Sequence, residues 1–154
     1  MQVWVDADAC PAEIKDLLFR AAKRTQIKVT LVANQPMRTP RSEFIDSLLV
    51  PAGLNVADQC IVELTEEGDL VVTADIPLAA QVVEKGGQAL NPRGALYTAE
   101  NIGQRLAVRD LMDDLRGEGQ ITGGPANFNA KDRQAFANQL DRWLTAARKK
   151  RPKG

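Results

Sequence analysis

Histidine is absent from the 154-residue chain, and cysteine occurs only at Cys10 and Cys60. The absence of histidine excludes Ser-His-Asp and Cys-His catalytic groups, and also any zinc site with imidazole ligands. Two cysteines alone argue against a structural zinc site. Catalysis is therefore left to carboxylates, lysine, cysteine, hydroxyl groups and hard metal ions bound through oxygen.

An excess of charge and a long apolar run are also lacking. The chain has 20 basic and 20 acidic residues, so any attraction to nucleic acid must come from a local basic surface. The N-terminal segment has neither the basic region nor the apolar run of a signal peptide, and no stretch is long enough to span a bilayer. We expect a cytoplasmic protein with reduced thiols and no membrane association, and the oligomeric state stays open.

The segments that are present indicate one α/β domain. Short β-branched runs alternate with amphipathic helical runs, which predicts βαβ units around a mostly parallel sheet. We assign residues 1–147 to a single domain and 148–154 to a basic flexible tail. Residues 44–50 fit either a strand or a short helix. Strands are predicted at 2–5, 27–33, 70–73 and 88–91, and helices are predicted to begin near Pro11, Val56, Ile76, Thr98 and Asn129.

Acidic residues follow two of the predicted strands. Asp6 comes directly after the first strand, and Asp75 comes two residues after the strand at 70–73. If these strands are neighbours, the two carboxylates converge at one sheet edge. Asp8 and Asp58 would add two more acids. Such a cluster either raises a pKa or recruits a cation, typically Mg²⁺ or Mn²⁺, which could activate a water as nucleophile.

Helix capping is the alternative explanation for most of these acids. Asp75 precedes a helix that begins with Ile-Pro, so it fits an N-cap, and Asp8 could cap the first long helix. Asp58 is spaced from Asn55 as in a capping box. Asp6 has no evident capping duty, which favours a functional role for it.

Other residues also allow two interpretations. Cys10, near a helix start, could be a nucleophile, but a small buried hydrophobic residue is the favoured interpretation. Arg38 and Arg93, in predicted loops, could bind phosphates or could simply be solvated. Gly123 and Gly124 could present backbone N–H groups to an anion, or could form a plain connection.

Several separated motifs resemble the signature of the YaiI/YqxD family of uncharacterised bacterial proteins. They are VDADACP at 5–11, GDLVVTADIPLA at 68–79, NPRG at 91–94, TGGP at 122–125 and DRQAF at 132–136. The family looks like a branch of the PIN-like superfamily, whose better-known members are Mg²⁺- or Mn²⁺-dependent ribonucleases. The resemblance implies a three-layer PIN-like, Rossmann-like fold with extra C-terminal helices. It also places Asp6, Asp58 and Asp75 at the positions of metal-binding acids, whereas Asp8 belongs to the family signature.

Three functions remain open. The first is a metal-dependent nuclease acting on RNA, with catalytic Asp6, Asp8, Asp58 and Asp75; Arg38, Arg93, Gly123 and Gly124 would bind the substrate. The second is a haloacid-dehalogenase-like phosphatase, because Asp6-x-Asp8 resembles its nucleophile motif. The third is a non-catalytic nucleic-acid-binding or regulatory protein that keeps an inherited acidic pocket.

Overall fold

The computed structural model describes residues 1–53, 55–117 and 127–150, and it shows an α/β fold with a six-stranded, mostly parallel sheet. This confirms the predicted fold class. The strands are β1 (Val3–Asp6), β2 (Val29–Ala33), β3 (Ile45–Leu49), β4 (Leu70–Val72), β5 (Gln88–Leu90) and β6 (Leu96–Tyr97). The helices are α1 (Ala12–Thr25), α2 (Val56–Leu64), α3 (Ile76–Glu84), α4 (Ile102–Gly117) and α5 (Ala130–Lys150).

The strand order is β3-β2-β1-β4-β5-β6, with β1 to β5 parallel and β6 antiparallel to β5. The order along the chain reverses between β1 and β4, which are direct neighbours with Val5 opposite Val72. In open parallel sheets, ligands bind beyond the carboxyl ends of the strands at such a switch point. The predicted adjacency of the strands before Asp6 and Asp75 is therefore confirmed.

Helices cover both faces of the sheet, because successive side chains of each strand point to opposite sides. Val3 and Val5 of β1 face the layer formed by α1 and α5. Trp4 between them faces the layer formed by α2 and α3. Helix α4 packs on α3. The result is a three-layer arrangement with a buried core on each side of the sheet.

Helix α5 is anchored at its start by two local features. Asn129 and Asp132 form a reciprocal capping box, in which each backbone N–H donates to the other side chain at 3.1 Å. Gly94 has a φ of +96°, and a Cβ there would lie 2.5 Å from Ala135 Cβ. Only glycine lets the turn between β5 and β6 pack directly against α5 in this conformation.

The boundary of the predicted tail is corrected by α5. The helix continues to Lys150, so residues 148–150 are helical rather than part of a flexible tail. Arginine and lysine are good helix formers, and their charges are favourable at a helix C-terminus. Residues 151–154 lie outside the described residues.

The remaining element predictions have mixed outcomes. The helix at 56–64 is confirmed, and residues 44–50 contain strand β3. Strand β6 was not predicted, because two residues are too few to show an alternating pattern. The predicted loop at 117–124 lies outside the described residues apart from Gly117, which ends α4. No helix in the described ranges is long and apolar enough to cross a membrane.

Candidate functional site

Asp6 stands at the switch point, as the last residue of β1, and is half-buried. Its Oδ2 accepts a hydrogen bond from Thr73 Oγ1 at 3.0 Å. Thr73 Oγ1 in turn accepts from the backbone N–H of Asp75 at 3.0 Å. The Asp6 side chain makes no capping hydrogen bond to the short 3-10 helix at Ala7–Ala9. These contacts join the carboxyl ends of β1 and β4, as the sequence pattern predicted.

Asp75 serves both as a helix cap and as a member of the acidic group. Its Oδ1 accepts from the backbone N–H of Leu78 at 3.0 Å, so the predicted N-cap of α3 is confirmed. Asp75 also acts on the Asp58 carboxyl group, because its nearby charge raises the pKa of Asp58. Capping therefore does not exhaust the interactions of Asp75.

The capping-box alternative for Asp58 is wrong. Asn55 has a φ of 62°, in the left-handed region, and its side chain makes no capping hydrogen bond to α2. A capping box requires an N-cap residue in an extended conformation, with its side chain turned onto the first turn. Asp58 instead lies in the first turn of α2, partly buried, within electrostatic range of Asp75 and Asp6.

The carboxyl groups of this site repel one another. Burial, the nearby charges of Asp75 and Asp6 and the hydrogen bond with Asp75 raise the pKa of Asp58 to about 6. Burial also raises the pKa of Asp6. The Thr73 hydrogen bond opposes that shift, and the charges of Asp75 and Asp8 add to it. Such a group holds either a shared proton or a bound cation.

Asp8 makes a different contact from the one expected of a cap. Its Oδ2 accepts from the backbone N–H of Asn34 at 2.9 Å, at the start of the loop between β2 and β3. The N-cap residue of α1 is Pro11, and no side chain caps that helix. The capping interpretation of Asp8 is therefore wrong, and Asp8 ties the β2–β3 loop to the edge of the acidic site.

The acidic site fits a hard divalent cation in donor chemistry and in charge, because carboxylate oxygens are the ligands that Mg²⁺ and Mn²⁺ prefer. It does not yet provide a ligand cage. Among the described residues, no group of three or more His, Cys, Asp or Glu lies close enough together to hold a metal ion. That Asp6, Asp58 and Asp75 together bind a cation stays a prediction.

Cys10 does not contribute a nucleophile. Its side chain is buried, and its thiol donates to the carbonyl oxygen of Pro11 at 3.7 Å. Burial raises the pKa of the thiol to about 12, so the reactive thiolate does not form near neutral pH. The contacts support the interpretation of Cys10 as a small core residue.

A cleft of about 900 Å³ adjoins the acidic site. Ala9 and Ala74 line it, and they are the chain neighbours of Asp8 and Asp75. We call it the α4 cleft, because α4 forms much of its wall. Its polar lining includes Asn91, Arg93, Asn101, Gln104, Arg105 and Arg109.

The predicted phosphate-binding residues lie in different places. Arg93 lines the α4 cleft, and its guanidinium also pairs with Asp132 Oδ2 at 2.9 Å, tying the cleft to the start of α5. Arg38 is exposed in the loop between β2 and β3 and does not line the cleft. Gly123 and Gly124 lie outside the described residues.

Sequence reasoning missed Thr73, Arg105 and Arg109. Thr73 lies at the end of a predicted strand and within the motif at 68–79, but the sequence does not predict that its hydroxyl bridges Asp6 and Asp75. Arg105 and Arg109 are four residues apart and therefore lie on one face of α4. Their spacing is a signal in the sequence that could have identified a basic face on α4.

The fold and the site define a Rossmann-like α/β protein with a group of carboxylates at the switch point of its sheet. The chain belongs to the YaiI/YqxD family: residues 4–146 match the family described as "Uncharacterized BCR, YaiI/YqxD family". The predicted family is thereby confirmed.

Relatives named UPF0178 protein cover nearly the whole chain. The protein of Syntrophotalea carbinolica is 63% identical over 145 residues, which are 94% of this chain and 98% of the relative. UPF0178 protein ECA0873 of Pectobacterium atrosepticum is 61% identical over 149 residues, or 97% of this chain and 99% of the relative. A relative from Janthinobacterium is 62% identical over 150 residues, with the same coverage of both chains. The search of solved structures found no match.

Proposed function

We propose that this protein is a nuclease that depends on a divalent metal ion and cleaves phosphodiester bonds in RNA. One observation carries the proposal. Asp6, Asp58 and Asp75 come from three separate elements and lie within electrostatic range of one another at the switch point, where burial and mutual repulsion raise the pKa of Asp6 and of Asp58. A protein that keeps unfavourable charges together at a ligand-binding position of its fold gains from a cation there.

Each residue of the site has a defined role in this proposal. Asp6, Asp58 and Asp75 would hold Mg²⁺ or Mn²⁺, which when bound supplies a water of lowered pKa and stabilises charge on the phosphate. Thr73 holds the Asp6 carboxylate at 3.0 Å and so fixes its orientation. Asp8 holds the β2–β3 loop against the site through Asn34, and Arg38 of that loop would approach a bound phosphate.

The resemblance to the PIN-like superfamily supports the same function. In that superfamily, one metal-binding acid follows the first strand, one lies in the helix before the fourth strand, and one follows that strand. Asp6, Asp58 and Asp75 lie at the matching positions of this chain. The family to which the chain belongs does not itself supply an activity. The geometry of the carboxylates therefore carries more weight here than the resemblance does.

Asp6→Asn tests the proposal, because it removes a charge while keeping the shape of the side chain. We expect it to abolish Mn²⁺ binding measured by calorimetry. We also expect RNA cleavage to fall by more than about 100-fold, a larger loss than changes to outer metal partners cause. Asp16→Asn, at an exposed acid of α1, is the matched control and should leave both unchanged. Circular dichroism would check that both variants fold. An Asp6→Asn protein that still cuts at the wild-type rate would refute the proposal.

The two alternatives give other results in related assays. A haloacid-dehalogenase-like phosphatase would form an aspartyl-phosphate on Asp6 with a small phosphoester. A non-catalytic binding protein would bind RNA with the same affinity after chelation and would never cut it. Burst measurements with a phosphoester and binding assays with a chelator therefore separate the three functions.

A further inference from the structure

We propose that the α4 cleft binds a single-stranded segment of nucleic acid, with unpaired bases against its apolar wall and phosphates on Arg105 and Arg109. The inference deepens the proposed function and rests on it, since it narrows the substrate class to unpaired strands and says how such a strand reaches the acidic site.

The wall contributed by α4 consists of two parallel rows of side chains. Residues four positions apart are neighbours on a helix surface. Asn101, Arg105 and Arg109 form a row of amide and guanidinium groups, and all three line the cleft. Gln104, Val108 and Met112 form the second row, which is mostly apolar and lines it as well. A cationic row beside an apolar row matches a single strand, in which the phosphate backbone runs beside the row of bases.

The charge of the cleft is positive, although the chain as a whole has no net charge. Arg93, Arg105 and Arg109 line it, and none of its described lining residues is acidic. Arg93 is held by Asp132, and Arg109 contacts the neighbouring Asp110 at 3.1 Å on the exposed surface. Arg105 and Arg109 are both exposed, and an exposed ion pair such as that of Arg109 with Asp110 contributes little. This positive charge would attract a nucleic acid even without a metal ion.

The apolar wall favours unpaired bases over a duplex. Val108 is 51% exposed and lines the cleft, so its side chain is accessible to a ligand. Ile76, Met112 and the Phe128 ring continue the wall. Unpaired bases can lay their faces on such a wall, whereas a duplex keeps its bases stacked and presents phosphates outward. The cleft volume of about 900 Å³ lies within the range of about 300–1,000 Å³ that buries small organic ligands.

The cleft also reaches residues that adjoin the carboxylates along the chain. Ala74 lines the cleft and stands between Thr73 and Asp75, and Ala9 lines it beside Asp8. A strand lying along Arg109 and Arg105 would thus enter the acidic site at this end. The arginines supply affinity for a polyanion that the carboxylates alone would repel.

Fluorescence anisotropy with labelled oligonucleotides tests the proposal. The probes are single-stranded RNA of about ten nucleotides, DNA of the same sequence and the corresponding duplexes. EDTA is present, so that binding is measured without cleavage. We expect each single strand to bind at least about 10-fold more tightly than its duplex, because only unpaired bases reach the apolar wall. The RNA and DNA arms show whether the cleft distinguishes the sugars.

Variants of exposed α4 residues, each with a matched control, locate the binding surface. We expect Arg105→Glu to raise Kd for the single strand by at least about 10-fold, whereas Arg142→Glu, on the exposed surface of α5 and outside the cleft, leaves it unchanged. Arg105→Ala should reduce the slope of log affinity against log salt by about 0.7, the value for one lost phosphate contact. Val108→Ser should weaken binding, and Leu111→Ser, equally exposed on α4 but outside the cleft, should not.

The outcomes separate this inference from the proposed function. Equal affinity for duplex and single strand, or unchanged affinity in both Arg105→Glu and Val108→Ser, would refute the proposal that the α4 cleft binds a single strand. A wild-type protein that binds in EDTA but never cuts with Mn²⁺ would reject the nuclease and keep the cleft. A wild-type protein that cuts, together with cleft variants of unchanged KM, would keep the nuclease and reject the cleft.

Discussion

At the scale of single residues, identical side chains serve different ends according to the donors around them. Asp69 is buried, and its carboxylate accepts from the backbone N–H groups of Gln2 and Glu66 and from the indole of Trp4, all within 3.0 Å. These donors make Asp69 a structural residue. The carboxylate of Asp6 accepts a hydrogen bond from Thr73 and lies near other acids. The local sequence does not distinguish the two, because Gln2 and Trp4, which donate to Asp69, and Thr73, which donates to Asp6, lie more than 60 residues from them along the chain.

The raised pKa of Asp58 predicts a pH-dependent penalty on stability. Its pKa lies near the ordinary value of 3.8 in the unfolded chain and rises to about 6 in the folded protein. The folded state therefore binds more protons between these values, and the free energy of unfolding falls as pH rises through that window. Above the window the wild type carries the full repulsion. Asp58→Asn removes it, so we expect this variant to be more stable than wild type at pH 8 by about 1 kcal/mol, after allowance for solvent screening.

Thermal unfolding at several pH values checks this prediction. The gain of Asp58→Asn should shrink as the pH falls below 6 and be nearly absent near pH 4, where wild-type Asp58 is itself protonated. Asp16→Asn should show no such pH profile. A gain that is constant from pH 4 to pH 8 would mean that charge repulsion is not its cause.

At the scale of elements, sequence patterns predicted most of the strands and helices but not which of their faces line the cleft. The acid after β1 and the acid after β4 could be paired in advance, because neighbouring parallel strands end at the same sheet edge. The capping-box interpretation of Asp58 could not be excluded in advance, because the spacing of Asn55 and Asp58 does not reveal the left-handed conformation of Asn55. Leu111 of α4 is apolar and yet 57% exposed, so apolar character alone does not identify the face of α4 that packs. The cleft-lining rows of that helix depend on its contact with α3 and were therefore hidden.

The start of α3 offers a test that separates the two roles of Asp75. Asp75→Asn keeps an oxygen for the N–H of Leu78 and removes the charge. Asp75→Ala removes both. We expect Asp75→Ala to lower the free energy of unfolding by about 1 kcal/mol relative to Asp75→Asn, which is the usual value of an N-cap side chain. Both variants should lose Mn²⁺ binding to the same extent.

Urea denaturation and Mn²⁺ calorimetry on the same preparations would measure the two effects. Equal stability of the two variants would show that the cap contributes nothing. If Asp75→Asn kept wild-type affinity for Mn²⁺, Asp75 would be only a cap and would leave the proposed metal site.

At the scale of the whole molecule, the sheet separates two cores that must fold together. One core joins the sheet to α1 and α5 and contains Trp143. The other joins it to α2 and α3 and contains Trp4. The sequence predicted a single domain over 1–147 from length and composition. Both cores use side chains of the same strands. Loss of the packing on one face would therefore remove part of the burial that holds those strands in the sheet.

Two single-tryptophan proteins test whether the cores unfold as one unit. Trp143→Phe leaves only Trp4 as a reporter of the α2–α3 face, and Trp4→Phe leaves only Trp143 as a reporter of α5. Trp4→Phe also removes the hydrogen bond to Asp69, so its stability should be lower by about 1–2 kcal/mol. The comparison is therefore made within each variant. We expect urea midpoints from fluorescence and from far-UV circular dichroism to coincide in both proteins, as a single cooperative transition requires.

The direction of any discrepancy identifies the part of the molecule responsible. A Trp143 fluorescence midpoint below the circular dichroism midpoint would mean that α5 leaves the sheet first. Residues 1–147 would then not form one cooperative domain. Since Asp132 of α5 pairs with Arg93 beside the α4 cleft, early loss of α5 would also break this ion pair before the sheet unfolds. Coincident midpoints would show instead that the cleft, the acidic site and the C-terminal helix are maintained by the same folding equilibrium.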